Sequence, residues 1–433
     1  MLNKLEPINK TIEVTMMYDK SRVEIECPLC HKEEWEFLDH IRKPIVDNHL
    51  CICRNCGFIS YNPQLKDIQE WYNKEVRSQD LAFLNTKFSK LEMHKKMIGA
   101  YMADNIDKGN TYNNALDFGC SDGYLLKYLR DENLIKTAKG IELNPGHANW
   151  ARHIYDLDIS SSDDTSVYKD GSFDLIVCYH VLEHIQQPDL LLKEFNRILS
   201  DTGILYIGLP TIDRLDYTTR YDLFKDEHIN MFSDNTLRYF LAVNGFESVF
   251  ENNYLYGTAI IFKKTKTKAP KMSCYDENIE LLDRINACYT LRDRADKCTA
   301  TGDVGGTKKN LVEALKNYNN FPELIIKYSS LNDAIDEQDI LEEYIKFKPH
   351  FWELHTALGL SLFREGNFDK AEESLLKATE LKGKNAMCLI HLGQIKYYQK
   401  DFIGAIEYLR ECWKMEPYNQ SAFELLATIL AKM

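Results

Sequence analysis

The stretch Ala115-Leu116-Asp117-Phe118-Gly119-Cys120-Ser121-Asp122-Gly123, running on into Tyr124 to Leu129, decides the reading of the fold. Its first four residues form a short buried strand, and Tyr124 to Leu129 open a helix with one apolar face. Between them Gly119 and Gly123 let the backbone come close to a ligand, and amides at the start of a helix suit a ligand carboxylate. Alone, such a loop could serve several nucleotides. The next strand, Lys139-Gly140-Ile141-Glu142, ends in an acid about twenty residues after the loop, where nucleotide-binding α/β units hold a ribose. Asn144-Pro145 reads as a helix N-cap with proline in the first turn, which puts Glu142 at the carboxyl end of its strand.

Strand and helix alternate from there: a short third strand at Leu157 to Ile159, a fourth at Phe173 to Tyr179, a helix from Pro188 to Leu199 and a fifth strand at Gly203 to Leu209. The alternation predicts an α/β, doubly wound, Rossmann-like sheet. Asp117-x-Gly119-x-Ser121-x-Gly123, Glu142, Phe173-Asp174 and His180-Val181-Leu182-Glu183-His184-Ile185 resemble the class I S-adenosylmethionine-dependent methyltransferases, from about Asn114 to Lys263. Ser121 stands where that family commonly has glycine. The resemblance implies a seven-stranded sheet with an antiparallel final hairpin, for which Glu247 to Leu255 and Ala259 to Lys263 are suitable. It also implies S-adenosyl-L-methionine contacts from Asp117, Gly119, Cys120, Ser121, Gly123, Glu142, Leu143, Tyr179 and His180, with adenine near Ser161 to Asp164.

Two competing patterns fit less well. A Rossmann dehydrogenase wants G-x-G-x-x-G, whereas the glycines here fall as G-x-x-x-G. His180 to His184 also matches the H-x-x-E-H zinc-protease pattern, which needs one continuous helix; here a strand ends just before His180 and Pro188 restarts the chain.

Pro210 to Ser233 is a polar and aromatic segment ending in Asp226-Glu227-His228-Ile229-Asn230-Met231-Phe232-Ser233, after which a helix from Asn235 to Asn244 closes at Gly245. A segment in this place lies over the carboxyl edge of the sheet, so Glu227 and His228 fall where an acceptor would sit. A hydroxyl becomes nucleophilic on losing its proton, and histidine, with an ordinary pKa near about 6.5, suits the base. The plain alternative is a lid histidine bonded to backbone. The Glu-His-x-x-x-Phe-Ser pattern resembles sugar methyltransferases acting on deoxysugars or surface glycans. Those that methylate carbon also carry an N-terminal zinc domain with C-x-x-C and a later C-x-x-C-G. Lys225-Asp226 replaces their Tyr-His, and helical repeats replace their large C-terminal α/β domain, which argues for oxygen over carbon.

Five of the twelve cysteines lie between residues 27 and 56. Cys27-x-x-Cys30 and Cys53-x-x-Cys56-Gly57, separated by 22 residues, suit a four-thiolate Zn2+ ribbon, because each two-residue step lets a tight turn aim both sulfurs at one ion. A closed four-cysteine site leaves no position for substrate, so this metal is expected to be structural. Cys51 could replace Cys53, and buried free thiols or a redox pair are the alternatives.

Beyond the basic stretch Lys264-Thr265-Lys266-Thr267-Lys268 the strand signals cease. From Trp352 a 34-residue period relates Leu358 to Leu392, Gly359 to Gly393, Phe368 to Phe402 and Ala371 to Ala405, the tetratricopeptide period. Pro417 ends the second unit and Ser421 to Lys432 supplies a capping helix. Tyr318 to Ser329 with Asp336 to Phe347 reads as a degenerate earlier pair. Gly302-Asp303-Val304-Gly305-Gly306-Thr307-Lys308-Lys309 superficially matches a phosphate loop, but no strand precedes it, and it reads as a flexible linker.

The predicted units are residues 20–75, a zinc ribbon and connecting helix; 76–263, the core with a lid at 210–233; 264–311, linker and helix; and 312–433, the repeats. A net charge of −13 gives no general attraction to nucleic acid or anionic lipid. Met1 to Pro7 lacks an apolar signal core and no long uncharged run follows, so a cytoplasmic protein without a membrane span is expected. Three functions compete: methylation of a small-molecule or glycan acceptor, specifically a sugar as nucleotide sugar or surface glycan; methylation of a protein recruited by the repeats; and a scaffold that keeps the cofactor but not the chemistry. The repeats could also mediate self-association.

Overall fold

The computed structural model describes residues 22–41, 49–66, 111–213, 224, 227–252, 258–269, 272–317, 322–329, 337–347, 349, 351–416 and 419–432. The connecting helix expected before residue 75, the pair Lys225-Asp226, the start of the degenerate repeat at 318–321, Asp336 and Pro417 lie outside them.

Leu116, Ile176 and Leu205 are buried on one side of the central strands, and Ala115, Val177 and Tyr206 on the other, as a sheet covered on both faces requires. Five short strands precede this sheet in the chain: β1 (Arg22–Val23), β2 (Trp35–Phe37), β3 (Leu50–Cys53), β4 (Ile59–Tyr61) and β5 (Gln64–Leu65). The central elements follow in the order β6 (Tyr112–Phe118), α1 (Tyr124–Asp131), β7 (Ile135–Ile141), α2 (Pro145–Ile154), β8 (Asp158–Ser160), β9 (Phe173–Tyr179), α3 (Pro188–Ile198) and β10 (Leu199–Leu209). After them come β11 (Asn230–Met231), α4 (Asp234–Val243), β12 (Phe246–Asn252) and β13 (Thr258–Lys264).

The sheet order is β12-β13-β10-β9-β6-β7-β8, and all neighbours are parallel except β13, which runs antiparallel to β10 and β12. This is the seven-stranded sheet with its closing hairpin. α3 and α4 cover one face and α1 and α2 the other. Because the chain order reverses between β6 and β9, the carboxyl ends of these two strands open a crevice, the usual ligand position in such sheets. β10 begins earlier than the sequence suggests. Leu199 already pairs with Phe173, and the polar Ser200 to Gly203 carries the strand past an irregularity before the apolar run starts.

β11 does not join this sheet. It pairs antiparallel with β4, so the N-terminal sheet has the order β11-β4-β3-β2 and incorporates Asn230 and Met231 from the segment expected as a lid. The other face of that sheet packs on α5 (Tyr275–Ala300) and α6 (Val304–Asn317) through Ile52, Ile59, Leu282, Ile285 and Leu311. α6 corrects the linker reading of Gly302 to Lys309. Asp303 Oδ1 accepts from the Gly306 amide at 2.9 Å and starts a helix whose Leu311 and Ala314 are buried. The capping bond and burial outweigh the glycines.

The remaining described elements are α7 (Pro322–Ser329), α8 (Glu337–Phe347), α9 (Trp352–Arg364), α10 (Phe368–Lys382), α11 (Ala386–Tyr398), α12 (Phe402–Met415) and α13 (Gln420–Leu430). A Cβ on Gly359 would meet Leu375 Cγ at 2.7 Å, and one on Gly393 would meet Leu409 Cγ at 3.0 Å. The same repeat position thus needs the same small residue for its two helices to touch. No described helix is long and apolar enough to cross a membrane.

Candidate active site

The loop after β6 is shaped by close approach. Gly119 has φ +80° and a Cβ there would meet Val181 Cγ2 at 2.4 Å; Gly123 has φ +77° and would meet Leu157 and Ala151. Ser121 also adopts a left-handed backbone, φ +52°, which explains why glycine suits this position elsewhere. The Gly119 and Cys120 amides donate to Ile141 O, and the Ser121 amide donates to Glu142 Oε2 at 2.9 Å. Several loop amides therefore brace the loop itself. Ser121 Oγ lies 3.3 Å from His147 Nδ1 on α2, a neighbour that sequence reasoning passed over.

Glu142 is buried, and its Oε1 accepts from the Asn144 amide at 2.7 Å. A carboxylate offers about four lone-pair sites. Two are used by the amides of Ser121 and Asn144, and two remain for a diol. With Asp117 buried at the end of β6 and Leu143 half-buried beside Glu142, this edge fits a nucleoside. Asn144 caps α2 through the amides of Gly146 and His147. Ser161 to Asp164 follows β8 on the same edge, where Arg152 Nη2 donates to Ser161 Oγ at 2.6 Å.

Across the crevice, β9 ends in Tyr179 and His180, whose rings lie 4.4 Å apart. His180 is held at φ +53°, a costly backbone for a bulky residue. Its amide donates to Gly208 O, and its Nδ1 is 3.5 Å from Glu183 Oε1. Leu182–His184 is a single 3-10 turn, so no continuous helix carries the H-x-x-E-H pattern. The turn aims Glu183 and His184 inward, both buried, with His184 Nε2 3.8 Å from Glu183 Oε1. His184 Nδ1 donates to Glu227 O at 2.7 Å, and the His184 and His228 rings meet edge-on at 5.0 Å.

Among the described residues two groups gather metal-type ligand atoms within 4.8 Å. One is Glu183, His184 and His228, a donor set that a divalent cation could also use. The other is Cys27, Cys30, Cys53 and Cys56, with Cys27 to Cys56 and Cys30 to Cys53 sulfurs each 3.5 Å apart. Zn–S bonds of 2.3 Å place tetrahedral sulfurs about 3.8 Å apart, so the four thiols fit that ion. Burial pushes the Cys27 thiol far up, while hydrogen bonding from Cys27 holds Cys30 and Cys53 down. Cys51 is turned elsewhere. It donates to the carbonyls of His49 and Asn62, and burial pushes it up to about 12, as for a neutral thiol.

A family model described as "Methyltransferase domain" matches residues 91–250, and one described as "Tetratricopeptide repeat" matches residues 353–385. The mitochondrial ubiquinone biosynthesis O-methyltransferase of Saccharomyces cerevisiae is 24% identical over 184 residues, 38% of this chain and 57% of that protein. The chain thus spans little more than half the length of this curated relative. Similar solved structures include a methyltransferase in complex with the Haloferax volcanii Trm112 methyltransferase activator (19% identity, 45% of this chain, 98% of that one, TM-score 0.37). An S-adenosylmethionine-dependent methyltransferase from Archaeoglobus fulgidus is another (18% identity, 41% of this chain, 100% of that one, TM-score 0.34).

Proposed function

We propose that this chain, which carries a methyltransferase domain and a tetratricopeptide repeat, moves the methyl group of S-adenosyl-L-methionine to a hydroxyl of a sugar. The sugar is presented as a nucleotide sugar or a growing surface glycan, in the cytoplasm. The observation that carries the reading is His228, buried against His184 at the carboxyl edge of the sheet. When bound, the cofactor supplies an electrophilic methyl carbon whose bond to sulfur breaks as the acceptor oxygen bonds to it.

His228 takes the acceptor proton in this scheme. The Glu227 carbonyl fixes the tautomer of His184, with the proton on Nδ1 and Nε2 turned toward Glu183. Glu183, His184 and His228 bring their side-chain ligand atoms within 4.8 Å of one another, so a carboxylate stands beside the imidazole that takes the proton. Glu142 orients the ribose, and Asp117, Gly119, Cys120, Ser121, Gly123, Leu143, Tyr179 and His180 line the rest of the cofactor side. The name of the yeast relative supports oxygen as the acceptor atom. The sugar class rests on the Glu-His-x-x-x-Phe-Ser pattern and the paired cysteine knuckles.

In this reading residues 20–75 form a structural Zn2+ module held by Cys27, Cys30, Cys53 and Cys56. Residues 76–263 are the catalytic unit, 264–311 connect, and 312–433 recruit a partner or a second copy. A cleft of about 640 Å³ between α8, α9 and α10, lined by Lys346, Lys370, Glu373 and Lys377 among others, supports a second reading in which the acceptor is a protein. Incubation with labelled S-adenosylmethionine and a cell extract separates the two. Label in nucleotide-sugar or glycan fractions, unaffected by deleting 312–433, is the expected result. Label confined to protein overturns the sugar class.

A further inference from the structure

We propose that the hairpin of β3 and β4, whose turn carries Cys53 and Cys56, is a clamp on the acceptor side of the site, with Ser60 and Asn230 as the positioning residues that hold His228 against His184. This rests on the reading of His228 given above. β11 is only two residues long and cannot hold itself in place. Its partner is β4, in the register Asn230 to Ser60 and Met231 to Ile59. β4 in turn leaves the turn closed by Cys53 and Cys56, whose backbone is tied by the Cys53 amide to Phe58 O and the Gly57 amide to Cys53 O.

Side chains complete the tie in both directions. Ser60 Oγ donates to Ile229 O at 2.9 Å and accepts from Gln64 Nε2, and the Tyr61 amide donates to the same Ile229 carbonyl at 3.0 Å. Asn230 Nδ2 donates to Ile185 O at 2.7 Å and reaches Leu182 O at 3.4 Å, the two ends of the turn that carries Glu183 and His184. Ser60 thus joins the lid to the hairpin, and Asn230 joins the lid to the turn. Both are fully or almost fully buried, where a polar side chain is costly unless its bonds are needed. Packing agrees: Phe58, between Cys56 and β4, meets Phe232 edge-on at 5.4 Å, so the residue after β11 is gripped as well.

The test is hydrogen exchange on the purified full chain loaded with zinc, comparing wild type with Ser60→Ala and Asn230→Ala. Amides of residues 229–232 should exchange about tenfold faster or more in each variant, the scale of losing buried hydrogen bonds. Amides of 115–141 and the affinity for S-adenosylhomocysteine should not change. Ser60→Thr, which keeps the hydroxyl, should restore protection. Unchanged protection at 229–232 overturns the proposal, and so does loosening spread equally over 115–141, which marks a general loss of stability. Stripping the zinc from wild type should loosen 229–232 first; should it unfold the whole chain, the two variants still decide. Exchange needs no acceptor, so its failure leaves the methyl-transfer reading standing, whereas a fully active His228→Ala removes that reading with the lid still protected.

Discussion

The two sides of the crevice are built in opposite ways. The side proposed for the cofactor is local: Ser121, Glu142, Asn144 and His147 fall within one strand-loop-helix-strand-helix run and bond to one another. The side proposed for the acceptor is a composite. His184 meets Glu227 across 43 residues, Asn230 meets Leu182 across 48, and Ser60 meets Ile229 across 169. A local site is tolerant of distant change, while a composite one depends on every element that brings its pieces together. Variants on each side should therefore fail differently.

The largest effect is expected at the clamp. Cys53→Ser removes one of four thiolates, and structural zinc sites contribute about 10 kcal/mol or more of apparent binding energy. The purified variant should hold well under about one zinc per chain by metal analysis, against about one in wild type. Next comes the cofactor side. Glu142→Ala removes the acceptor of two amide bonds and, on the proposed reading, of the ribose diol, so affinity for S-adenosylmethionine should fall roughly 10- to 100-fold by calorimetry, with zinc content unchanged. Equal affinity would break the contrast. The smallest effect belongs to the repeats: Gly359→Val pushes into Leu375 and should cost about 1–3 kcal/mol, read as a lower Tm of the helical part, while cofactor affinity stays the same.

This division also decided what could be read from the chain. The doubly wound α/β class followed from alternating elements, the seven strands and closing hairpin from the family resemblance, and the loop from Asp117 to Gly123 with Glu142 from residue type and spacing, because those contacts lie close in sequence. The 34-residue spacing of Gly359 and Gly393 was visible for the same reason. The joining of β11 to β4 was not, since a two-residue strand carries no periodicity and its partner lies far upstream. His147 beside Ser121 carried only a faint signal, its place in the first turn of a capped helix. Gly302 to Lys309 misled because composition spoke for a linker, while Asp303 and the buried face of α6 made a helix.

The most direct test of the two-sided site is a paired measurement on His228→Ala: affinity for S-adenosylmethionine and rate of methyl transfer to the labelled acceptor fraction. The expected result is an affinity within about twofold of wild type and a transfer rate lower by about 100-fold or more, the scale of losing a general base. Transfer at the wild-type rate with cofactor affinity intact would contradict it.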